Sequence, residues 1–159
     1  MTNMAFIEDV KVRNELKQAI QDIEASQSGI ALEAGISQSY VSTLLNGKEI
    51  SNRQYRKFLQ ALETATSHAI CNNVISDERQ DEILETISGI RHAHNITALN
   101  KSLDFYLNSP PEMEKSWENL YLSHEGQIRS VYISAVPQTR LKILEDLIGV
   151  AEKYSAGKK

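Results

Sequence analysis

The chain has 159 residues, 41% hydrophobic and 24% charged, a balance that excludes both a disordered chain and, with no apolar run near bilayer length, a membrane protein. Seventeen basic residues against 21 acidic ones leave a formal charge of −4, which in bulk argues against nucleic acid and leaves local distribution to decide. The single cysteine, Cys71, excludes an intrachain disulfide, and an opening that turns acidic too soon for a signal peptide's apolar core argues against secretion, so a cytoplasmic protein is expected.

Residues 1–6 read as a frayed arm or a short extra turn, with Ile7 and Val10 suggesting that the segment packs. A first helix is predicted over residues 7–25, where Val12, Leu16, Ala19 or Ile20, and Ile23 recur at helical spacing. Arg13 and Lys17 fall on another face, as surface residues first and phosphate contacts second.

From Ser26 to Lys48 the sequence writes two short helices and a tight turn. Ile30, Ala31 and Ala34 put small and apolar residues on one face of the first, Gly35 breaks it, and Val41, Leu44 and Leu45 line the second. Steeply crossing helices leave no room at closest approach, hence Ala31, and the exit from the first needs a left-handed residue, hence Gly35. Ile36 covers the core side of the turn. Ser26 and Ser37 stand where N-caps would accept from free backbone N–H groups, Ser37 for a helix starting at Gln38.

Ile30, Ala31, Ala34, Gly35, Ile36, Val41 and Leu44 together resemble the apolar, small and glycine positions of the helix-turn-helix of the lambda-repressor and Cro-like (XRE-type) family. Asn46-Gly47-Lys48 looks like that family's exit loop, whereas Gly29 departs from the charged residue common there. The resemblance covers roughly residues 1–70 and implies a compact five-helix DNA-binding domain with Phe58 and Leu62 in its core.

A recognition helix with its N-terminal part in a major groove would present Gln38, Ser39, Ser42 and Thr43 to base edges. The Gln38 amide can meet N6 and N7 of adenine together, the two serines are less selective, and the Thr43 methyl can pack on thymine. With no Arg or Lys on this helix the commonest guanine contact is missing, so an A/T-containing site is expected. Phosphate contacts would fall to Gln27, Ser28, Ser37, Tyr40, Asn46 and Lys48, helped by the N–H groups at helix N-termini. Ser26 to Leu62 carries Lys48, Arg53, Arg56 and Lys57 against Glu33 and Glu49, a local balance of +2.

Tyr55, Phe58, Leu59 and Leu62 mark a further helix capped by Ser51 or Asn52, and the pattern weakens between Thr64 and Ser76, which places a domain boundary there. Residues 74–159 read as a C-terminal helical region. A helix opens at Ser76-Asp77-Glu78, carries Ile83, Leu84, Ile87 and Ile90, and stops near Gly89. Another follows over Ile96, Leu99, Leu103, Tyr106 and Leu107, ended by Asn108 and Pro110-Pro111. Ser109-Pro110-Pro111-Glu112 reads as a capping box for a helix with Met113, Trp117, Leu120 and Tyr121 inward. Residues 128–136 fit a helix, with strand as the alternative by propensity. Pro137 opens the last helix, whose face of Leu141, Leu144, Leu147, Ile148 and Ala151, widened by Ile143 and Val150, suits a bundle core or self-association. Leu141, Leu144, Ile148 and Ala151 are the dimerisation candidates.

His92 and His94 are too close for a helical metal site, and Cys71 with His68 lacks an orienting third group and reads as a half-buried thiol, so neither metal, cofactor nor enzyme activity is expected. The expectation is an all-α transcriptional regulator of bacterial or phage type, a repressor occupying operator DNA as a homodimer or higher homo-oligomer. The alternative is a protein-binding module on a helix-turn-helix scaffold, antitoxin-like or a phage inhibitor of a host protein, engaging its partner through the C-terminal region.

Overall fold

The computed structural model describes residues 4–109 and 116–157. Its elements are β1 (Met4–Ala5), α1 (Val10–Asp22), α2 (Gln27–Ala34), α3 (Gln38–Leu45), β2 (Ile50–Ser51), α4 (Asn52–Cys71), α5 (Asp77–Leu107), α6 (Trp117–Leu122), α7 (Glu125–Ser134) and α8 (Pro137–Gly157). The fold is therefore all-α apart from one two-residue ladder, and no described helix is long and apolar enough to cross a membrane. The chain divides into two compact units, Met1–Ile87 and Ser88–Lys159.

In the first unit α2 packs on α3 and α4, and Leu16, Ile20, Ile30, Val41, Leu44, Leu45, Phe58, Leu59, Leu62 and Ile83 are buried around one core. Residues 4–7 are neither a frayed arm nor a helical turn. Met4 pairs with Ser51 and Ala5 with Ile50 in an antiparallel ladder, and the alternation exposed, buried, exposed, buried sends Ala5 and Ile7 into the core. Val10, expected to pack, is 56% exposed. The Arg13 guanidinium staples this segment down by donating to the carbonyls of Ile7 at 2.7 Å and Glu8 at 2.8 Å.

α4 runs on to Cys71, through the stretch where the sequence pattern weakens, because Thr66 and Ala69 are buried on the core side. The helix ends on Asn73 in the left-handed region (φ 58°), with the Val74 N–H donating to the Ala69 carbonyl. Cys71 is exposed, correcting the half-buried thiol. The helix opening at Asp77 does not stop at Gly89. It continues as α5 to Leu107: Gly89 sits in right-handed helix and is exposed, and buried residues occur in the helix on both sides of it, Ile83 and Ile87 before and Ile90, Leu99 and Leu103 after.

The second unit is built on Leu99, Leu103, Leu120, Ile128, Val131, Ala135, Ile143, Val150 and Tyr154. The predicted capping box at 109–112 and the helix start at Met113 lie outside the described residues, apart from Ser109. The helix observed begins at Trp117, and its N-cap Ser116 accepts from the Asn119 N–H. Of residues 128–136, expected to be helical, 128–134 are, and the helix stops at Ala135, whose backbone is extended. The wide apolar face of α8 is divided: Ile143 and Val150 are buried with Tyr154, Leu147 and Ala151 are half-buried, and Leu141, Leu144 and Ile148 are exposed.

Candidate nucleic-acid interface

The stretch that carries the sequence motif forms a helix, a three-residue turn and a second helix. Ser26 caps α2, its Oγ accepting from the Gly29 N–H at 3.0 Å. Gly35 then takes the left-handed conformation (φ 71°, ψ 31°), and the N–H groups of Gly35 and Ile36 donate to the carbonyls of Leu32 and Ala31. That pair of bonds satisfies the end of α2 and turns the chain sharply. Ile30, Ala31, Val41 and Leu44 are buried, Ala34 and Ile36 half-buried, and Gly35 exposed.

Burying Val41, Leu44 and Leu45 fixes the rotation of α3, so the opposite face carries the polar residues. Gln38 and Ser39 are exposed, and Ser42 and Thr43, one turn on, are half-buried. Of the predicted phosphate contacts, Ser28, Ser37, Tyr40, Asn46 and Lys48 are exposed and Gln27 is half-buried. Ser37 occupies the N-cap backbone position but makes no side-chain cap; its hydroxyl instead pairs with that of Ser39 at 2.7 Å. The N–H groups in the first turn of α3 therefore have no side-chain cap. Asn46 leans back along the helix, its Nδ2 donating to Ser42 Oγ at 3.4 Å.

Beside the start of α2 lies an open cleft of about 480 Å³ lined by Asn14, Lys17, Gln18, Gln21, Ser26 and Gln27 among others. Its lining is mostly amide, hydroxyl and one ammonium, which suits an anionic or hydrogen-bonding surface. Arg13 is not available in the same way. Besides holding Ile7 and Glu8, it lies against Gly47, where a Cβ would stand 2.8 Å from the guanidinium carbon. Gly47 has φ 83°, so both backbone and neighbour demand glycine there.

Sequence reasoning missed Arg79, in the first turn of α5. It is 18% exposed at its side chain and meets Glu15 at 2.7 Å, Asp22 at 2.9 Å and Glu82 at 3.0 Å. Burial works to lower its pKa, and the three carboxylates outweigh that and raise it. The cluster ties α5 to α1. Only a basic residue amid acidic ones marked it in the sequence, and its two partners on α1 lie 57 and 64 residues away. Charge across the unit opposes a simple nucleic-acid reading: residues 1–87 hold eight basic and thirteen acidic residues, a balance of −5. The local +2 around the motif stands inside that acidic unit.

In the second unit Asp146 pairs with the buried His92 at 2.7 Å and with Lys142 at 3.2 Å. Burial alone would raise the Asp146 pKa; the hydrogen bonds from His92 and Lys142 hold it below the usual carboxylate value. His124 Nε2 lies 2.9 Å from Ser102 Oγ, and burial lowers its pKa. No group of His, Cys, Asp and Glu among the described residues is arranged to hold a metal ion. No protein-family model, no curated protein and no solved structure matches this chain.

Proposed function

We propose that the chain is a sequence-specific DNA-binding regulator, a repressor of bacterial or phage type that reads operator DNA with α3. The observation that carries the reading is the division of α3 into a buried apolar face and a polar one bearing the exposed Gln38 and Ser39 and the half-buried Ser42 and Thr43. In this reading residues 1–70 are the lambda-repressor-like DNA-binding domain, although α1 to α4 supply four helices there rather than the five the resemblance implies. Gln38 contacts adenine, Thr43 packs on a thymine methyl, and Ser39 and Ser42 fill hydrogen bonds between them. Gln27, Ser28, Ser37, Tyr40, Asn46 and Lys48 hold the backbone on either side, with Lys17 at the rim of the cleft.

One such module makes few base contacts, so selectivity comes from two copies on half-sites a helical turn or a multiple of it apart. The test is a mobility shift on duplex DNA taken from upstream of the chain's own gene. Wild type is expected to select one sequence over the rest, and a Gln38→Ala, Thr43→Ala variant to lose that selection while keeping weak general binding. Equal behaviour of the two proteins on every sequence refutes base reading by α3.

The acidic balance of the first unit favours a second reading, a protein-binding module on the same scaffold, antitoxin-like or an inhibitor of a host protein. Here the C-terminal helical region would meet the partner protein, and DNA of any sequence would leave the chain's mobility unchanged.

A further inference from the structure

α8 is held to the second unit on two sides and bare on a third. Ile143, Val150 and Tyr154 are buried, with the Tyr154 ring 5.8 Å from that of Trp117. On the neighbouring side Asp146 meets His92 at 2.7 Å and Lys153 meets Asp104 at 2.9 Å, both partners belonging to α5. On the remaining side Leu141, Leu144 and Ile148 are 58%, 45% and 58% exposed. At about 100° per residue they share one stripe with Pro137, Ala151 and Ser155. The steps along it alternate four, three, four, three, four, which is the seam of a coiled coil and not the broader stripe of a packed surface helix.

We propose that this seam is the contact between two copies of the chain, packed as a parallel, in-register pair of α8 helices. Two features select that occupant and that direction. The first is the side-chain order: Leu141 and Ile148 take one core position of the repeat, Leu144 and Ala151 the other. A β-branched residue at the first with leucine at the second favours two parallel strands, and Ile148 beside Leu144 supplies one such layer. The second is charge. Arg140 flanks the seam on one side, anchored there by Nε and Nη2 donating to the carbonyls of Tyr132 at 2.9 Å and Ile133 at 2.8 Å. Glu145 and Glu152 flank the other.

In a parallel pair opposite flanks meet, so Arg140 stands against the partner's Glu145. In an antiparallel pair like flanks meet, and Glu145 and Glu152 face the partner's own Glu145 and Glu152 instead of Arg140. The seam has only three large side chains per copy, short of the area of about 800 Å² per partner in a standard interface. The dimer is accordingly a weak one that dissociates on dilution. The inference supplies the second copy that operator reading needs but rests on α8 alone: a dimer that ignores DNA would sink the operator reading and leave this one standing.

The experiment is sedimentation of the full chain in a Cys71→Ser background. A monomer–dimer equilibrium is expected, weakened at least about tenfold by Ile148→Glu or Leu144→Glu. Their circular dichroism should be unchanged, because both side chains are exposed. Glu145→Lys, which sets lysine against Arg140, should weaken pairing about two- to fivefold at low salt. Direction is read by mild oxidation of single Leu144→Cys and Ala151→Cys variants. A parallel in-register pair crosslinks to itself at both positions, whereas an antiparallel pair can bring at most one position onto its own copy. A monomer at every concentration, a dimer indifferent to Ile148→Glu or to Glu145→Lys, or crosslinking at one position or neither overturns the proposal.

Discussion

Gly35 and Gly47 both hold left-handed backbone, yet they should respond differently to a methyl group. A Cβ on Gly35 meets nothing within 4 Å, so Gly35→Ala costs only the conformational penalty, about 1 kcal/mol. A Cβ on Gly47 would press on Arg13, whose guanidinium is held by two carbonyls, so Gly47→Ala should cost more. Urea denaturation checks this, and the excess should vanish in an Arg13→Ala background if the contact is its cause. Gly35 was legible in the sequence because a turn between two apolar patterns needs a residue without a Cβ. The role of Arg13 was not, because spacing shows which face a side chain occupies and not which carbonyl it can reach. The same holds for Ser37, which takes the N-cap backbone position yet makes no cap and pairs its hydroxyl with that of Ser39.

The elements divide in a similar way. α2, α3 and α8 followed from apolar spacing and from the residues that start and stop them. α5 did not, because a glycine followed by polar residues imitates a helix end, and the buried residues after it change face, so no single apolar period runs through Gly89. A continuous α5 predicts that Gly89→Ala stabilises the protein by about 0.5–1 kcal/mol, since the position is exposed, right-handed and sterically open. Destabilisation would mean that the helix ends there. The pairing of Met4 and Ala5 with Ile50 and Ser51 joins segments far apart in sequence, and two residues are too few for a strand signal. Arg79 ties α5 to α1 in the same nonlocal way. Arg79→Met should cost about 1–2 kcal/mol, because Glu15 and Asp22 are a third exposed and water can take over part of the lost interaction.

For the whole molecule, acid should act in two steps. His124 has its folded pKa lowered by burial from 6.5, so its contribution is complete above that pH and is lost as pH falls through the folded value. Asp146, lowered from 3.8, contributes fully above 3.8 and loses that contribution as pH falls through its own folded value. Urea midpoints measured against pH should therefore lose the first step in His124→Gln and the second in Asp146→Asn. Charge also bounds how the protein can hold DNA. With Lys48 the one cation among the proposed contacts and Lys17 in the cleft beside α2, two copies should show a shallow salt dependence, with log K falling against log salt at a slope of about −2 to −4.

The central claim, that α3 reads bases, is tested most directly by selecting bound molecules from a randomised DNA duplex library with wild type and with Gln38→Ala. The account predicts a two-fold symmetric enriched motif whose half-sites contain an adenine that Gln38→Ala no longer selects. Enrichment of the same motif by both proteins, or of none by wild type, would contradict it.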